Sequence, residues 1–412
     1  MGKVRLTLER TVVGIDVGTT KVCTLVGQMD GGGGLRIVGV GVVPSKGLRK
    51  GVVVNVSETT EAIAASVEKA ERISGYKIEH AHVGVAGAHV SSFNSRGVVA
   101  VSRGHSITED DVSRVLDAAL AIAIPHNREV IHAVPRGYIV DGQDGVRDPL
   151  GMHGFRLEVE AHIITGAATS LHNLGKCVNQ VGIEVDEFVL APLASGRAVL
   201  TNNEREMGVV LADIGGGTTD MAVFIEGSVW HTAVLAVGGN HLTNDVAVGL
   251  RAPFATAEEI KEKYGYARAD GVGADETVEV AVFGEDSWQA VPRRVLAEII
   301  EARAAEILNL MLQEVKRSGY DGLLPAGVVL CGGGSQLAGV KELGREILQL
   351  PTRIGAPRDL QGLVDVLSTP AYATGVGLLL WGLREEARRV PSERPIGLWQ
   401  RIVHWLRSFL PG

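Results

Sequence analysis

The chain has 412 residues, a formal net charge of −8 at pH 7 and 45% hydrophobic residues. This length predicts about two to four structural units. The negative charge argues against nucleic acid as the main partner, so contact with an anionic surface would require a local basic patch. The three cysteines match neither a metal-binding spacing nor an even disulfide framework, which favours a reducing compartment. No apolar run reaches the roughly 18 residues of a membrane-spanning helix, and the N-terminus lacks the apolar core of a signal peptide.

The first predicted element is a strand, a glycine turn and a second strand near the N-terminus. Apolar residues over 11–17 surround Asp16, and a second apolar strand follows over 22–28. The carboxylate of Asp16, near the tip of its strand, can hold a hydrated Mg²⁺ against a phosphate. The turn offers bare backbone amides and hydroxyl donors to that phosphate at Gly18, Thr19 and Thr20.

Further strands and one helix complete this first half. The hydrophobic periodicity predicts a strand at 35–43, a short strand at 50–56, an amphipathic helix at 58–74 and a buried strand at 82–86.

Residues 84–165 differ in sequence pattern from the first half, and they contain neither a phosphate turn nor a clustered pair of acids. A helix is predicted to begin at Thr108, which caps it with Asp111 at the capping-box spacing, and to end near Ile122. Five histidines in or near this region have no zinc-site spacing and are expected to be ordinary surface or core residues. Strands are predicted at 98–101, 129–141 and 155–164.

A second strand–turn–strand unit repeats the first, after helices predicted at 169–181 and 192–200. Its Asp213 lies 197 residues after Asp16 (213 − 16), at the end of an apolar strand. This repeat predicts two similar α/β halves that present one turn each to a shared cleft. The second turn offers Gly215, Gly216, Gly217, Thr218, Thr219 and a further acid, Asp220.

The rest of the second half contains a smaller unit and a third glycine cluster. Gly332, Gly333 and Gly334 follow a buried strand at 328–331 and precede a helix at 337–348. The other predicted elements are a charged helix at 257–264, two strands within 276–291, helices at 293–317 and 370–388, and a short strand at 352–354.

The C-terminal residues predict an amphipathic helix that binds a membrane surface. A linker at 389–395 precedes 396–412, and the sequence from Arg394 onward contains three arginines and no acid. Such a helix, with an apolar face and a basic rim, lies in the headgroup layer and is too short to cross the bilayer. The alternative is a terminal helix docked on its own domain. The apolar face contains Leu398, Trp399, Ile402, Trp405, Leu406 and Phe409.

Together, DVGTTK, DIGGGTTD and the later GGGS resemble the phosphate-1, phosphate-2 and adenosine elements of the actin, Hsp70 and sugar-kinase ATPases. Residues 83–103, 148–166 and the amphipathic C-terminus are similar to the FtsA family of bacterial cell division. The resemblance implies an actin-like α/β fold with two similar halves around a nucleotide cleft. It also implies the family's subdomains: 1A (11–83, 166–197 and 355–388), an inserted 1C (84–165), 2A (198–244 and 305–354) and 2B (245–304).

The resemblance implies ATP and Mg²⁺ as ligands. Asp16 and Asp213 would hold the metal, Lys21 would lie near the phosphates, and Asp213 or Asp220 could order the attacking water. Ala191 stands where fast relatives place a water-orienting glutamine or glutamate, so at most slow ATP hydrolysis is expected. Other nucleotide contacts are implied at Gly238 and Gly239 near the cleft, at Lys261 and Glu262 beside the adenosine, and at the third glycine turn with Ser335.

The resemblance also implies a cellular role. The protein would form filaments, bind the FtsZ C-terminal peptide through subdomain 2B, and recruit later division proteins. It would lie on the cytoplasmic face of the cell membrane at the division site, as a peripheral protein held by anionic lipid. The alternatives are a pilus-assembly or chaperone-like ATPase and a small-molecule kinase of the same fold. A kinase would need a catalytic aspartate beside a hydroxyl pocket, which the N-terminal half does not display.

Overall fold

The computed structural model describes residues 11–29, 34–101, 106–122, 124–281, 283 and 288–389. The predicted amphipathic helix and the linker beyond Arg389 lie outside these residues. Among the helices that are described, none combines the length and the apolar character needed to cross a membrane.

The strands of the described residues, in chain order, are β1 (Thr11–Val17), β2 (Lys21–Met29), β3 (Leu35–Pro44), β4 (Leu48–Arg49), β5 (Val52–Val53), β6 (His80–Val85), β7 (Ser91–Ala100), β8 (Arg128–Val140), β9 (Gln143–Val146), β10 (Arg156–Ala167), β11 (Glu184–Leu190), β12 (Val209–Ile214), β13 (Thr219–Ile225), β14 (Ser228–Leu235), β15 (Thr277–Ala281), β16 (Trp288–Pro292), β17 (Val328–Cys331), β18 (Thr352–Ile354) and β19 (Gln361–Gly362).

The helices of the same residues are α1 (Val56–Ser74), α2 (Glu109–Leu120), α3 (Ala168–Asn179), α4 (Ala191–Val199), α5 (Asn202–Met207), α6 (Gly239–Leu250), α7 (Phe254–Tyr264), α8 (Arg293–Ser318), α9 (Val340–Leu348) and α10 (Ala373–Arg389).

Two sheets repeat one local arrangement, and this confirms the prediction of two similar α/β halves. The first lobe has the strand order β11-β6-β1-β2-β3-β19, and the second lobe has the order β14-β13-β12-β17-β18. In each lobe an antiparallel hairpin (β1–β2 or β12–β13) lies beside a parallel strand, β6 or β17. The two hairpins therefore occupy equivalent positions, and Asp16 and Asp213 lie near the ends of their first strands, just before the turns.

Helices α4 and α10 cross between the lobes. Every residue of α4 except Arg197 is buried, and one apolar cluster joins α4 and α10 to β1 and β2 of the first lobe and to β12 and β13 of the second. Burial of this shared apolar surface stabilises the lobes against each other. The crossing helices are therefore the structural connection across which any lobe movement must occur.

An additional sheet, with the order β7-β10-β8-β9, packs against α2. Thr108 caps α2 as predicted, since its hydroxyl accepts a bond from Asp111 N and its own N–H donates to the Asp111 carboxylate. We call residues 91–167, which contain this sheet and α2, the insertion.

The insertion is connected along the chain to strands of the first lobe, and it also contacts edge strand β14 of the second lobe. Ser92 Oγ donates to Thr232 O at 3.0 Å, and Ser228 Oγ donates to Pro135 O at 2.6 Å. His162 uses both ring nitrogens, with Nδ1 2.7 Å from Asn94 Oδ1 and Nε2 3.0 Å from Thr232 Oγ1. The insertion is thus attached to both lobes.

Two histidines of the insertion predict a pH dependence of stability. Burial, the charge of His231 and the charge of Arg136 lower the pKa of His162 to about 3. Burial and the Arg197 charge lower the pKa of His132 to about 4. The unfolded chain binds these protons near pH 6.5. We therefore expect the free energy of unfolding to reach its highest value, as far as these two histidines affect it, above that pH. It should fall as the pH drops from 6.5 toward 4, by about 1.4 kcal/mol per pH unit for each histidine.

Urea unfolding between pH 8 and pH 4.5 measures this dependence. His162→Gln should reduce the slope between pH 6.5 and 4.5, whereas His172→Gln, at a solvent-exposed histidine, should leave it unchanged. Equal slopes for the wild type and His162→Gln would disprove the assignment.

The predicted elements differ from the structure in two places near the cleft. The strand predicted at 50–56 is instead a pair of two-residue strands, β4 and β5, and α1 already begins at Val56 because Asn55 caps it. The helix predicted from residue 337 begins at Val340, after a short 3₁₀ turn at Gly333–Gln336. Gly51 N donates to Thr19 Oγ1 at 3.3 Å and holds 48–53 against the first glycine turn, while Gly339, at a φ of 83°, separates the 3₁₀ turn from α9.

Candidate functional site

The turns of β1–β2 and β12–β13 face each other across a cavity of about 110 Å³, which we call the inner cavity. Residues from both lobes and from the third glycine turn line it. Of the residues singled out in the sequence, the lining contains Asp16, Gly18, Thr19, Thr20, Lys21, Ala191, Asp213, Gly215, Gly216, Gly217, Thr218, Asp220, Gly332 and Gly333.

The two turns are in contact. A Cβ atom on Gly217 would lie 2.7 Å from Thr19 Oγ1, and one on Gly216 would lie 2.4 Å from Thr20 Cγ2. A Cβ on Gly217 would also lie 3.0 Å from the backbone atom Lys50 Cα, so glycine at these positions permits the close approach. Sites for drug-sized ligands usually have volumes of about 300–1,000 Å³, so a nucleoside triphosphate would need the turns to separate.

Asp213 receives hydrogen bonds from both crossing helices. Ser195 Oγ of α4 donates to its Oδ2 at 2.7 Å, and Thr374 Oγ1 of α10 donates to the same atom at 2.9 Å. The two hydroxyl oxygens are 2.9 Å apart. These bonds fix the carboxylate in one orientation and connect it directly to the helices that join the lobes.

The other two carboxyl groups of the inner cavity have raised pKa values. Burial and the Asp213 charge, opposed by the Lys21 charge, raise the pKa of Asp16 to about 6. Burial raises the pKa of Asp220 to about 7, together with the charges of Asp213 and Asp16. Bonds from Thr218 Oγ1 at 2.7 Å and Gly87 N at 3.4 Å oppose that shift.

This donor set fits a magnesium–phosphate ligand. A divalent cation would relieve the mutual repulsion of the carboxylates and favour their charged forms. Mg²⁺ is usually held by one or two carboxylates, with waters and phosphate oxygens completing its shell. The described residues contain no group of three or more histidine, cysteine or acidic side chains that could bind a metal alone, so phosphate oxygens or water would be needed.

Lys21 connects its turn to the chain before α10. Its Nζ donates to Ala371 O at 2.5 Å and lies 4.1 Å from the centre of the Tyr372 ring. The ammonium group thus has protein partners at the rim of the inner cavity, and its charge also acts on Asp16.

Three of the predicted nucleotide-binding residues lie behind the second turn and do not line the cavity. Gly239 N donates to Gly215 O at 2.8 Å, and the adjacent Gly238 is the N-cap of α6. Thr219 Oγ1 donates to Val237 O at 2.9 Å. These residues hold the turn in position, because their polar groups bond to protein rather than facing the cavity.

Four further predicted residues also lie away from the lining. Lys261 donates to Glu258 at 2.7 Å and to Thr243 Oγ1 at 2.9 Å, while Glu262 is exposed. Ser335 Oγ donates to Gly332 O at 2.8 Å and stabilises the third glycine turn, which also contains Gly334. Their contacts with a nucleotide stay predictions.

Sequence reasoning did not identify several residues of the site. Ser195 and Thr374 belong to the crossing helices, and only the packed structure brings their hydroxyls to Asp213. Ala191 was identified, and it lines the inner cavity. The remaining unpredicted lining residues are Val17, Gly51, Gly84, Ala86 and Ala371, which present mainly backbone and so leave little chemical signal in a sequence.

Comparison with known proteins agrees with this architecture. Residues 210–377 match the family described as "Cell division protein FtsA", and residues 87–165 match "SHS2 domain inserted in FTSA". The FtsA of Pseudomonas aeruginosa is 47% identical over 92% of this chain and 90% of its own length. The FtsA of Escherichia coli K12 is 36% identical over 98% of this chain and 99% of its own.

Solved structures with the same fold are more distant in sequence. The PilM-PilN type IV pilus biogenesis complex aligns with a TM-score of 0.67 at 15% identity, over 90% of this chain and 98% of the other. MreB5 of Spiroplasma citri bound to ADP aligns with a TM-score of 0.55 at 14% identity, over 92% and 99%. These similarities show an actin-like fold. From its similarity to the curated relatives over nearly the whole length, the chain belongs to the FtsA family of cell division proteins.

Proposed function

We propose that this actin-like cell division protein binds Mg²⁺ and ATP between its two glycine turns and attaches the division ring to the membrane. The observation that supports the nucleotide site is the convergence of Asp16, Asp213 and Asp220 with two glycine–threonine turns on one cavity. The MreB5 structure of the same fold was solved with ADP. Asp16 and Asp213 would hold Mg²⁺, and backbone amides of the turns would bind the phosphates.

We propose that hydrolysis is slow. Ala191 lines the inner cavity at the start of α4 but has no atom that could accept a proton from water. Asp213 is already bonded to two hydroxyl groups, and Asp220 to one hydroxyl group and one amide. Purified protein should therefore turn over ATP well below the roughly 10 s⁻¹ that is typical of enzymes. Turnover near that value in a steady-state assay would contradict the proposal.

The membrane attachment is proposed to depend on 396–412. The structure describes α10 as far as Arg389, and the 23 residues that follow (412 − 389) would reach the lipid surface. One such helix binds weakly, and a filament that presents many copies would bind firmly. Recruitment of the FtsZ tail and of later division proteins to that surface would then follow from filament formation.

Flotation with vesicles tests the membrane attachment. Full-length protein should float with vesicles that contain anionic lipid, and a chain shortened to residues 1–395 should remain in the dense fraction. Trp405→Glu should reduce flotation because it places a charge on the apolar face, whereas Ser408→Glu tests the added charge on the polar face. Full-length protein that stays in the dense fraction with every vesicle composition would contradict the tether.

The FtsZ contact is proposed to lie on the unit formed by α7, β15, β16 and the start of α8. Large apolar side chains are exposed there, including Phe254 and Trp288, and Val248 is exposed on neighbouring α6. Exposed apolar side chains of this kind are typical of a protein-binding surface. A peptide with the FtsZ C-terminal sequence should bind the wild type and lose affinity for Trp288→Ala. Unchanged affinity for this variant, and for Phe254→Ala, would place the peptide elsewhere.

A further inference from the structure

A second cavity, of about 420 Å³, lies directly behind the two glycine turns, and we call it the outer cavity. Thr19 and Gly217 line both cavities. The partition between them is therefore the contact between the two turns, where a Cβ on Gly217 would meet Thr19 Oγ1 at 2.7 Å and Lys50 Cα at 3.0 Å. A small separation of the turns would connect the inner cavity with the outer one.

The lining of the outer cavity carries positive charge. Arg49, the last residue of β4, and Lys50, in the tight turn that follows, belong to this lining. They make no ion pair or side-chain hydrogen bond with any residue that the structure describes. The acidic residue of the lining, Asp245, is already neutralised by Arg303, at 2.5 and 3.2 Å. Two cationic side chains thus remain for an anionic ligand.

Neutral hydrogen-bond donors lie next to these charges. Asn240 and Asn244 present side-chain amides from the first turns of α6. His241 Nδ1 accepts a bond from Gly238 N at 3.1 Å, so the neutral ring carries its proton on Nε2. The donors and charges together suit a small oxyanion, because its oxygens are strong hydrogen-bond acceptors.

The Lys50 backbone is held in an uncommon conformation at the partition. Its φ is 52°, in the left-handed region that residues with a side chain rarely adopt. Gly51 N donates to Thr19 Oγ1 at 3.3 Å, and this bond ties the β4–β5 turn to the first glycine turn. Movement of the first glycine turn would therefore move Lys50 and open the partition.

We propose that the outer cavity binds inorganic phosphate and receives the phosphate that leaves the inner cavity after hydrolysis. This inference rests on the proposed nucleotide site. HPO₄²⁻ matches the lining in charge and in its need for several donors, and Thr19 and Gly217, which line both cavities, separate the two sites. Phosphate would then be held near the turns by Arg49 and Lys50 while ADP stays in the inner cavity.

Titration of inorganic phosphate into the full-length, ADP-loaded protein tests this, with ³¹P line broadening of the phosphate signal as the readout. Lys50→Ala and Arg49→Ala should each weaken phosphate binding about tenfold, as expected for the loss of one charged hydrogen bond. Lys46→Ala is the matched control, because Lys46 lies four residues away and does not line the outer cavity. Thermal unfolding of each variant confirms that it folds.

Binding of a fluorescent ADP analogue separates the two proposals. If the analogue does not bind the wild type, the nucleotide site itself is disproved. If the analogue binds all variants equally, and phosphate affinity falls in Lys50→Ala and Arg49→Ala but not in Lys46→Ala, the outer cavity is the phosphate site. Phosphate affinity that is the same in all three variants, or that is absent in the ADP-loaded wild type, would overturn the inference.

Discussion

Asp213→Asn is expected to weaken binding of Mg²⁺ and ATP about 100-fold, because a charge-assisted contact of about 3 kcal/mol is lost. The amide has nearly the volume of the carboxylate, and its oxygen can still accept the bonds from Ser195 and Thr374. The fold should therefore be retained while the negative charge that would face the metal is removed. Loss of this charge should also lower the pKa values of Asp16 and Asp220, since Asp213 raises both.

Calorimetric titration of ATP, with and without Mg²⁺, measures this effect. Asp144→Asn provides the matched control, as its carboxylate is exposed on strand β9, far along the chain from both turns. The difference between Asp213→Asn and the wild type should be large with Mg²⁺ and small with EDTA. Equal affinities of the two proteins in the presence of Mg²⁺ would remove Asp213 from the metal site.

Gly377→Ala is expected to destabilise the protein by roughly 1–3 kcal/mol or more, through overpacking between the crossing helices. A Cβ at this position of α10 would lie 2.0 Å from the carbonyl oxygen of Ala194 and 2.3 Å from its carbon. Backbone cannot move aside as a flexible side chain can, so α4 and α10 would have to separate. Because Ser195 and Thr374 lie on these helices, their joint hold on Asp213 should loosen and ATP affinity should fall as well.

Scanning calorimetry should show a melting temperature several degrees lower for Gly377→Ala than for the wild type. In Gly322→Ala, an added Cβ meets no atom within 4 Å, and the melting temperature should change little. If Gly377→Ala melts at the wild-type temperature with normal ATP affinity, the close contact of the crossing helices does not position the site.

The elements that were predictable from the sequence are those with local signals. Asp16 and Asp213 each lie near the end of an apolar strand, before glycines and threonines, and this pattern predicts a hairpin wherever it occurs. The repetition of the pattern gave the two similar lobes, which the sheet orders confirm. The capping of α2 by Thr108 was equally local, as the capping box spans only four residues.

The features that were not predictable depend on contacts between distant residues. Ser195 and Thr374 are 179 positions apart, yet their hydroxyls meet at Asp213. Packing of the insertion against β14 through His162 and Thr232 joins residues 70 positions apart. The role of Lys50 was hidden for the same reason, because a strand predicted at 50–56 gives no sign of a strained turn between two cavities.

Membership of the FtsA family decides among the alternatives that the sequence left open. The pilus-assembly and kinase interpretations share the fold and its nucleotide turns, and the PilM-PilN similarity at 15% identity concerns the fold alone. The insertion distinguishes these alternatives, since residues 87–165 match the SHS2 domain that is inserted in FtsA. Its attachment to both lobes means that movement of the lobes must also act on the insertion.

A crystal structure of the protein with Mg²⁺ and ATP tests the central claim most directly. We expect the phosphates between the turns that carry Thr19 and Gly217, a magnesium ion within reach of the Asp16 and Asp213 carboxylates, and turns further apart than the contact described above. Nucleotide bound at another surface, with Thr19 and Gly217 still in contact and the carboxylates free of metal, would contradict the account.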